Sequence, residues 1–102
     1  MTPFMGNTSS TVSISVSSSS GRVQIQTQLS NAAVRVMNNG TATAWITFGG
    51  DSVTATIPSG STGGGIPIGP GVTEVLRLPS THVAAIAAGS TGSIYFTPGE
   101  GI

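Results

Sequence analysis

Apolar side chains alternate with small polar ones along nearly the whole chain, and this period of two limits the possible folds more than any other feature. In "TVSISVS", Val12, Ile14 and Val16 alternate with Thr11, Ser13, Ser15 and Ser17. In "RVQIQTQL", Val23, Ile25 and Leu29 share a side with Thr27, while Arg22, Gln24, Gln26 and Gln28 share the other. A helix would need apolar residues three or four apart, which neither segment offers. Both read as strands with one buried face and one wet face.

The pattern recurs between turn signals. Val34 and Val36 alternate around Arg35, "NNG" follows at 38–40, and Ala44, Ile46 and Phe48 then alternate with Thr43, Trp45 and Thr47. Asn-Gly supplies the positive φ angles of a tight hairpin, so a hairpin is expected there. "GGD" at 49–51 reads as the next reversal, into a strand "SVTATI" with Val53, Ala55 and Ile57 inward. "VTEVLRL" reads as a strand of mixed faces. "HVAAIA" and "SIYFT" read as a last hairpin around "AGSTG", with Ile94 and Phe96 inward. "SSSSG" at 17–21 reads as a flexible link or loose hairpin loop. "SGSTGGG" at 59–65 suits neither strand nor helix, because glycine loses too much backbone entropy there. "IPIGPGV" reads as extended and edge-like, since its prolines lack the donor a central strand supplies.

About eight short strands with turn signals roughly every ten residues predict an all-β protein: a single antiparallel β-sandwich or jelly-roll-like barrel. Strand order, jelly-roll or immunoglobulin-like, stays open. The expected organisation is an N-terminal arm or first strand with a Ser-rich link over 1–21, a β-sandwich body over 22–98 and a tail over 99–102.

Charge is the strongest departure in composition. Of 102 residues only 6% are charged, against about 25% in ordinary soluble domains. Lysine is absent, and three arginines (Arg22, Arg35, Arg77) balance three acids (Asp51, Glu74, Glu100). Like-charge repulsion keeps monomers apart, so in a chain this poor in charge either small polar side chains do all the solvating or, as favoured here, much of the surface is covered by partners. Scattered arginines cannot neutralise a run of phosphates, which argues against nucleic acid. The absence of cysteine removes disulfide and thiolate chemistry. The start "MTPFMGNTSS" has no basic and apolar pattern of a signal peptide, and no apolar run approaches a membrane span. Production in a cytoplasm, with no membrane partner, is the expectation.

No motif carries catalysis. The single histidine, His82, would need Ser80 or Ser90 and Asp51 or Glu74 to form a triad, but there is no G-x-S-x-G elbow and serines are everywhere. One histidine and three dispersed acids have no metal-ligand spacing. The glycine-rich stretch lacks the Lys-Ser/Thr of a phosphate loop. The Thr41/Thr43 and Thr54/Thr56 pairs do not repeat regularly enough for an ice-binding array. The expectation is a non-enzyme without catalytic residues, metal or cofactor.

Surface features remain. Trp45 and Tyr95 alternate against apolar neighbours and so face outward, where large aromatics are enriched at interfaces; cover by a loop of the same domain is the alternative. Phe4 and Met5 stand in a polar start and suit either an arm that docks on another chain or packing under their own domain. Ile66 and Ile68 belong to a pliable edge shaped to meet a neighbour, and losing 59–65 is expected to disturb assembly more than folding. Arg35, Arg77 and Glu74 are expected to pair locally and contribute little.

The run from Val34 to Gly101, with the phrases "NNGTATAWITFG", "GPGVTEV", "THVAAI" and "YFTPGEG", resembles small accessory virion proteins of tailed bacteriophages, of the capsid decoration (cement) or head-fibre type. The resemblance implies a structural role on the capsid surface, assembled in the host cytoplasm, with the major capsid protein as partner. It brings no catalytic residues. A β domain clustered about a symmetry axis of a capsid lattice would clamp several subunits at once, as a homotrimer. The alternatives are a tail, neck or head-fibre component, and a carbohydrate- or host-surface-binding module with Trp45 and Tyr95 as stacking platforms.

Overall fold

The computed structural model describes residues 5–6, 10–25 and 32–100. Among them are nine strands: β1 (Met5–Gly6), β2 (Val12–Val16), β3 (Gly21–Gln24), β4 (Ala32–Asn38), β5 (Ala44–Gly49), β6 (Ile66–Ile68), β7 (Thr73–Arg77), β8 (His82–Ile86) and β9 (Gly92–Glu100). They form two antiparallel sheets. The first runs β1-β9-β4-β7, with β2 also on β9, and the second runs β3-β8-β5-β6. β1 and β2 lie end to end along one edge of β9, pairing with Gly99–Glu100 and Gly92–Phe96 respectively.

The pairings are nested. β5 pairs with β6, β4 with β7, β3 with β8 and β2 with β9, as in one long antiparallel ribbon folded at its middle. Two further pairings, β4 with β9 and β5 with β8, roll that ribbon into two facing layers. This is the strand order of a jelly roll, and it settles the alternative left open by periodicity.

The inward rows are those set by the alternation. Ile14 and Val16, Val34 and Val36, Ile46, Val83 and Ala85, Ile94 and Phe96 are all buried, joined by Ile25, Ala44, Ile68, Leu78 and Ala87; Val12, Val23 and Phe48 pack against them partly exposed. Fully burying a valine, isoleucine or phenylalanine contributes about 1.5–3 kcal/mol each, so these rows supply the main driving force. Within the stretch expected to be an arm or first strand, Ile14 and Val16 of β2 are part of the core. At the other end β9 runs through the expected boundary at residue 98, to Glu100. Leu29 lies outside the described residues.

Rolling the ribbon overturns the local hairpin expectations. β4 and β5, on either side of "NNG", belong to different sheets, as do β8 and β9 on either side of "AGSTG". The glycines with positive φ are Gly60, Gly71 and Gly92, so Gly40 lacks the conformation a two-residue hairpin requires. The Ser-rich 17–20 segment is likewise a corner between sheets, held by Ala87 N–H donating to Ser17 O at 2.9 Å and Ser19 N–H donating to Ser17 Oγ at 3.2 Å. Only β5 and β6 are both consecutive and paired. Their connection is the longest in the described chain, and Pro67 sits on the edge strand, where its missing donor costs nothing.

Candidate functional site

Four surfaces could meet a partner: the outer face of each sheet, the flank where β6 and β7 end the sandwich, and the opposite flank of β1, β2 and β3.

The outer face of the second sheet is partly roofed. After β5 the chain turns at Gly50, whose carbonyl accepts from Val53 N–H at 3.1 Å, and runs back over the sheet instead of forming the expected strand "SVTATI". Arg22 Nη1 donates to Val53 O at 3.4 Å, and Ala55 N–H donates to Ser20 Oγ at 2.8 Å. Ala55 is buried while Ile57 is 41% exposed, so the expected inward trio does not hold. The roof also explains Ala84. It lies on an outward row between Arg22 and Thr47, yet it is fully buried. Alanine is the side chain that lets backbone lie this close to a sheet.

The glycine-rich tip closes on itself. Ser59 and Thr62 exchange backbone hydrogen bonds of 3.0 and 2.9 Å around Gly60, which has φ 57°. Gly65 N–H donates to Thr56 O at 2.9 Å where the chain enters β6. A Cβ on Gly65 would stand 2.7 Å from Ile46 O, so close approach to β5 demands glycine there.

Trp45 occupies the outward row of this sheet, opposite Ile86 on one side and Pro67 on the other, and is half-buried. Tyr95 is on the first sheet, also half-buried. The two aromatics thus face away from each other across the sandwich, whose sheets are about 10 Å apart. They cannot form one stacking platform. Of the other expected contacts, Ile66 is exposed at the edge, whereas Ile68 is buried in the protein's own core and is unavailable to a neighbour. Met5 pairs with Glu100 in the first sheet. Phe4 lies outside the described residues.

The outer face of the first sheet gathers residues that sequence spacing had not joined. The register sets Ser13, Tyr95, Met37 and Thr73 side by side across four strands. The next row holds Thr97, Arg35 and Val75, and Arg77 follows two residues beyond Val75 on the same side. Thr11 and Thr97 share a hydroxyl hydrogen bond of 2.9 Å. Met37 is 38% exposed. Glu74, by contrast, lies in the inward row opposite Val36, at the sheet edge. It therefore makes no ion pair with Arg77, and the expected local pairing of these two fails. Two of the three arginines thus share a face with Tyr95 and Met37, and none of the described outward rows of that face carries an acid. Aromatic, methionine and arginine side chains are enriched at interface centres and acids are depleted.

The corner between β4 and β5 holds the one buried polar side chain among the described core residues, Asn38. Its Nδ2 donates to Ala42 O at 2.9 Å and Ile68 O at 2.8 Å, and its Oδ1 accepts from Gly40 N–H at 2.9 Å. This is an Asx turn with a further bond to the opposite sheet. The Asn of "NNG" signalled a turn, but not that it joins layers.

His82 is on the outward face of β8, with its Nδ1 2.8 Å from Thr81 Oγ1. Among the described residues no hydrogen bond joins it to Ser80, Ser90, Asp51 or Glu74, so the triad sketched from the sequence is not assembled. No group of three or more potential metal-ligating His, Cys, Asp or Glu side chains occurs among the described residues. No family model, curated protein or solved structure matches the chain.

Proposed function

We propose that the protein is a non-enzymatic structural component of a bacteriophage virion, decorating or cementing the capsid by docking the outer face of its first sheet between major capsid subunits. The observation that carries this reading is the convergence of Tyr95, Met37, Arg35 and Arg77 on one sheet face whose described outward rows hold no acid. A chain with 6% charged residues has little other means of resisting association. The resemblance in "NNGTATAWITFG", "GPGVTEV", "THVAAI" and "YFTPGEG" supplies the virion context, and jelly rolls are common among viral capsid domains. Fold alone does not carry a function, so the face has to be tested directly.

The test is co-sedimentation of the purified protein with emptied heads assembled from the accompanying major capsid protein. Tyr95→Ala is expected to weaken binding about thirtyfold, the effect of losing an aromatic hot spot of about 2 kcal/mol. Arg77→Glu is expected to weaken it further at low salt. Trp45→Ala, on the opposite face, should bind as the wild type does. Absence of binding to heads, with binding to purified tails or necks, would move the protein to those parts. Binding to glycans that Trp45→Ala abolishes would favour a host-surface module.

A further inference from the structure

Both sheets end in edge strands, and the two flanks of the sandwich are protected very differently. On one flank β6 carries Pro67, and β7 carries Glu74 in an inward row with Arg77 exposed at its end. Prolines and charges of this kind, inward-pointing ones above all, are how edges are kept from pairing with other chains. On the opposite flank β3 bears the exposed Arg22. β2 has no such guard. Its sequence, Val-Ser-Ile-Ser-Val, is uncharged, free of proline and glycine, and strongly β-forming. Among the described residues, no backbone hydrogen bond reaches the side of β2 turned away from β9.

The strand is also a palindrome. About Ile14 the sequence reads the same in both directions from Ser9 to Ser19, except that Thr11 mirrors Ser17. An antiparallel pair related by a two-fold axis sets residues of equal distance from the centre against each other. Centred on Ile14, that axis would set Val12 against Val16 of a second copy, Ser13 against Ser15, and Ile14 against itself. Every cross-strand pair then matches in size and polarity. The inward residues Ile14 and Val16 are already buried, so the pairing needs no rearrangement of either core. The exposed Ser13 and Ser15 would form the outer ladder.

We propose that β2 is a homotypic docking edge, through which two copies of the chain join their first sheets into one. A five-residue strand buries far less than the roughly 1,600 Å² of a standard stable interface, so the contact is weak in solution, with a dissociation constant on the order of 0.1 mM. It gains strength where many copies are held on one surface. The contact does not rest on the virion reading, and its failure would leave binding to heads untouched.

The experiment is sedimentation equilibrium of the full chain into the millimolar range, with hydrogen exchange read at low and high concentration. The wild type is expected to form dimers, with β2 amides gaining protection and β6 and β7 amides unchanged. In S13K/S15K, lysine opposes lysine across the axis, and dimerisation should weaken at least about tenfold. In S13K/S15E each lysine meets a glutamate of the second copy, and affinity should return to within about threefold of wild type. A wild type that stays monomeric overturns the proposal. So does a wild-type dimer without new protection in β2, which stands as the deciding measurement if the variants do not fold. Equal association of S13K/S15K and wild type, or no recovery in folded S13K/S15E, also overturns it.

Discussion

Asn38 Nδ2 donates to the carbonyl of Ile68 across 2.8 Å, and this bond joins β4 of the first sheet to β6 of the second. The backbone of Asn38 meanwhile extends the β4–β7 ladder of its own sheet: Gly71 N–H donates to Asn38 O at 2.8 Å, and Asn38 N–H donates to Val72 O at 3.1 Å. Replacing Asn38 with alanine strands the carbonyls of Ile68 and Ala42 and the N–H of Gly40. Each buried group left unpaired costs about 1–3 kcal/mol, so Asn38→Ala should lose roughly 3 kcal/mol or more. Asn38→Asp should be worse at neutral pH, because a carboxylate would face two carbonyl oxygens and donate to neither. Protonation restores one donor, so the gap between the two variants should narrow as the pH falls towards about 4. Urea unfolding of both variants across pH checks the order; equal stability of Asn38→Asp and wild type at neutral pH would remove the bond from its structural role.

The same corner sets a second expectation. Gly40 passes so near the β8–β9 connection that a Cβ would stand 2.6 Å from Thr91 O, and Gly92, at φ 121°, would meet Gly40 Cα at 3.0 Å. Backbone obstructs in both cases, so neither substituent can be accommodated by a rotamer change. Gly40→Ala and Gly92→Ala should each lose about 1–3 kcal/mol. Gly63→Ala, in open space without positive φ, should be neutral or gain about 0.5 kcal/mol by restricting the unfolded chain. Beside Gly92, Thr91 Oγ1 is buried without a hydrogen-bond partner. Thr91→Val keeps the shape and removes that hydroxyl, and should stabilise by about 1 kcal/mol. Thermal unfolding of these four variants tests whether the corner is limited by space and polarity.

These two corners also mark what could be read from the sequence and what could not. The alternation identified faces correctly in the strands: Ile14, Val34, Ile46, Ile94 and Phe96 all point to the core. Period two says which side a residue takes, but it carries no information about which strand lies beside it. "NNG" and "AGSTG" therefore looked like hairpins, although rolling the ribbon makes both of them crossings between layers. "SVTATI" alternates as a strand does, yet it lies on a sheet instead of beside one, and its backbone finds Ser20 Oγ and the Arg22 guanidinium in place of a ladder. The candidate interface has the same cause. Trp45 and Tyr95 were visible as outward aromatics, but their opposition depends on sheet membership. Met37, Arg35 and Arg77 join Tyr95 only through the β4–β9 and β4–β7 registers.

Roof and tip of the β5–β6 connection should respond differently to change. Ala84 is fully buried under the returning chain, so Ala84→Leu must lift Val53–Ala55 off the sheet and should cost about 1–3 kcal/mol. The tip is exposed and closes on itself through Ser59 and Thr62. Shortening it by replacing 59–62 with Asn-Gly should change stability by less than about 1 kcal/mol, since loop closure depends weakly on length. Chemical denaturation of the two variants decides the matter. A stable Ala84→Leu protein with the tip variant unfolded would reverse the assignment of cover and surface. Binding of the tip variant to heads then tests separately whether this loop takes part in assembly.

The guarded flank yields a prediction of opposite sign to the one for β2. Glu74 stands in the row of Phe96 and Val36, where an apolar residue would extend the core, yet it is exposed at the sheet edge. Its carboxylate must stay hydrated, and a second strand laid along β7 would take that water away. Glu74→Val removes the obstacle and adds apolar area beside the exposed Val72. Folding stability should hold or rise by up to about 1 kcal/mol, because valine suits a strand position better than glutamate does. Self-association should increase and become insensitive to S13K/S15K, since it now uses the other flank. Light scattering over a concentration series, with and without the β2 lysines, separates the two edges. If Glu74→Val leaves the concentration dependence unchanged, the carboxylate is not what keeps β7 from pairing.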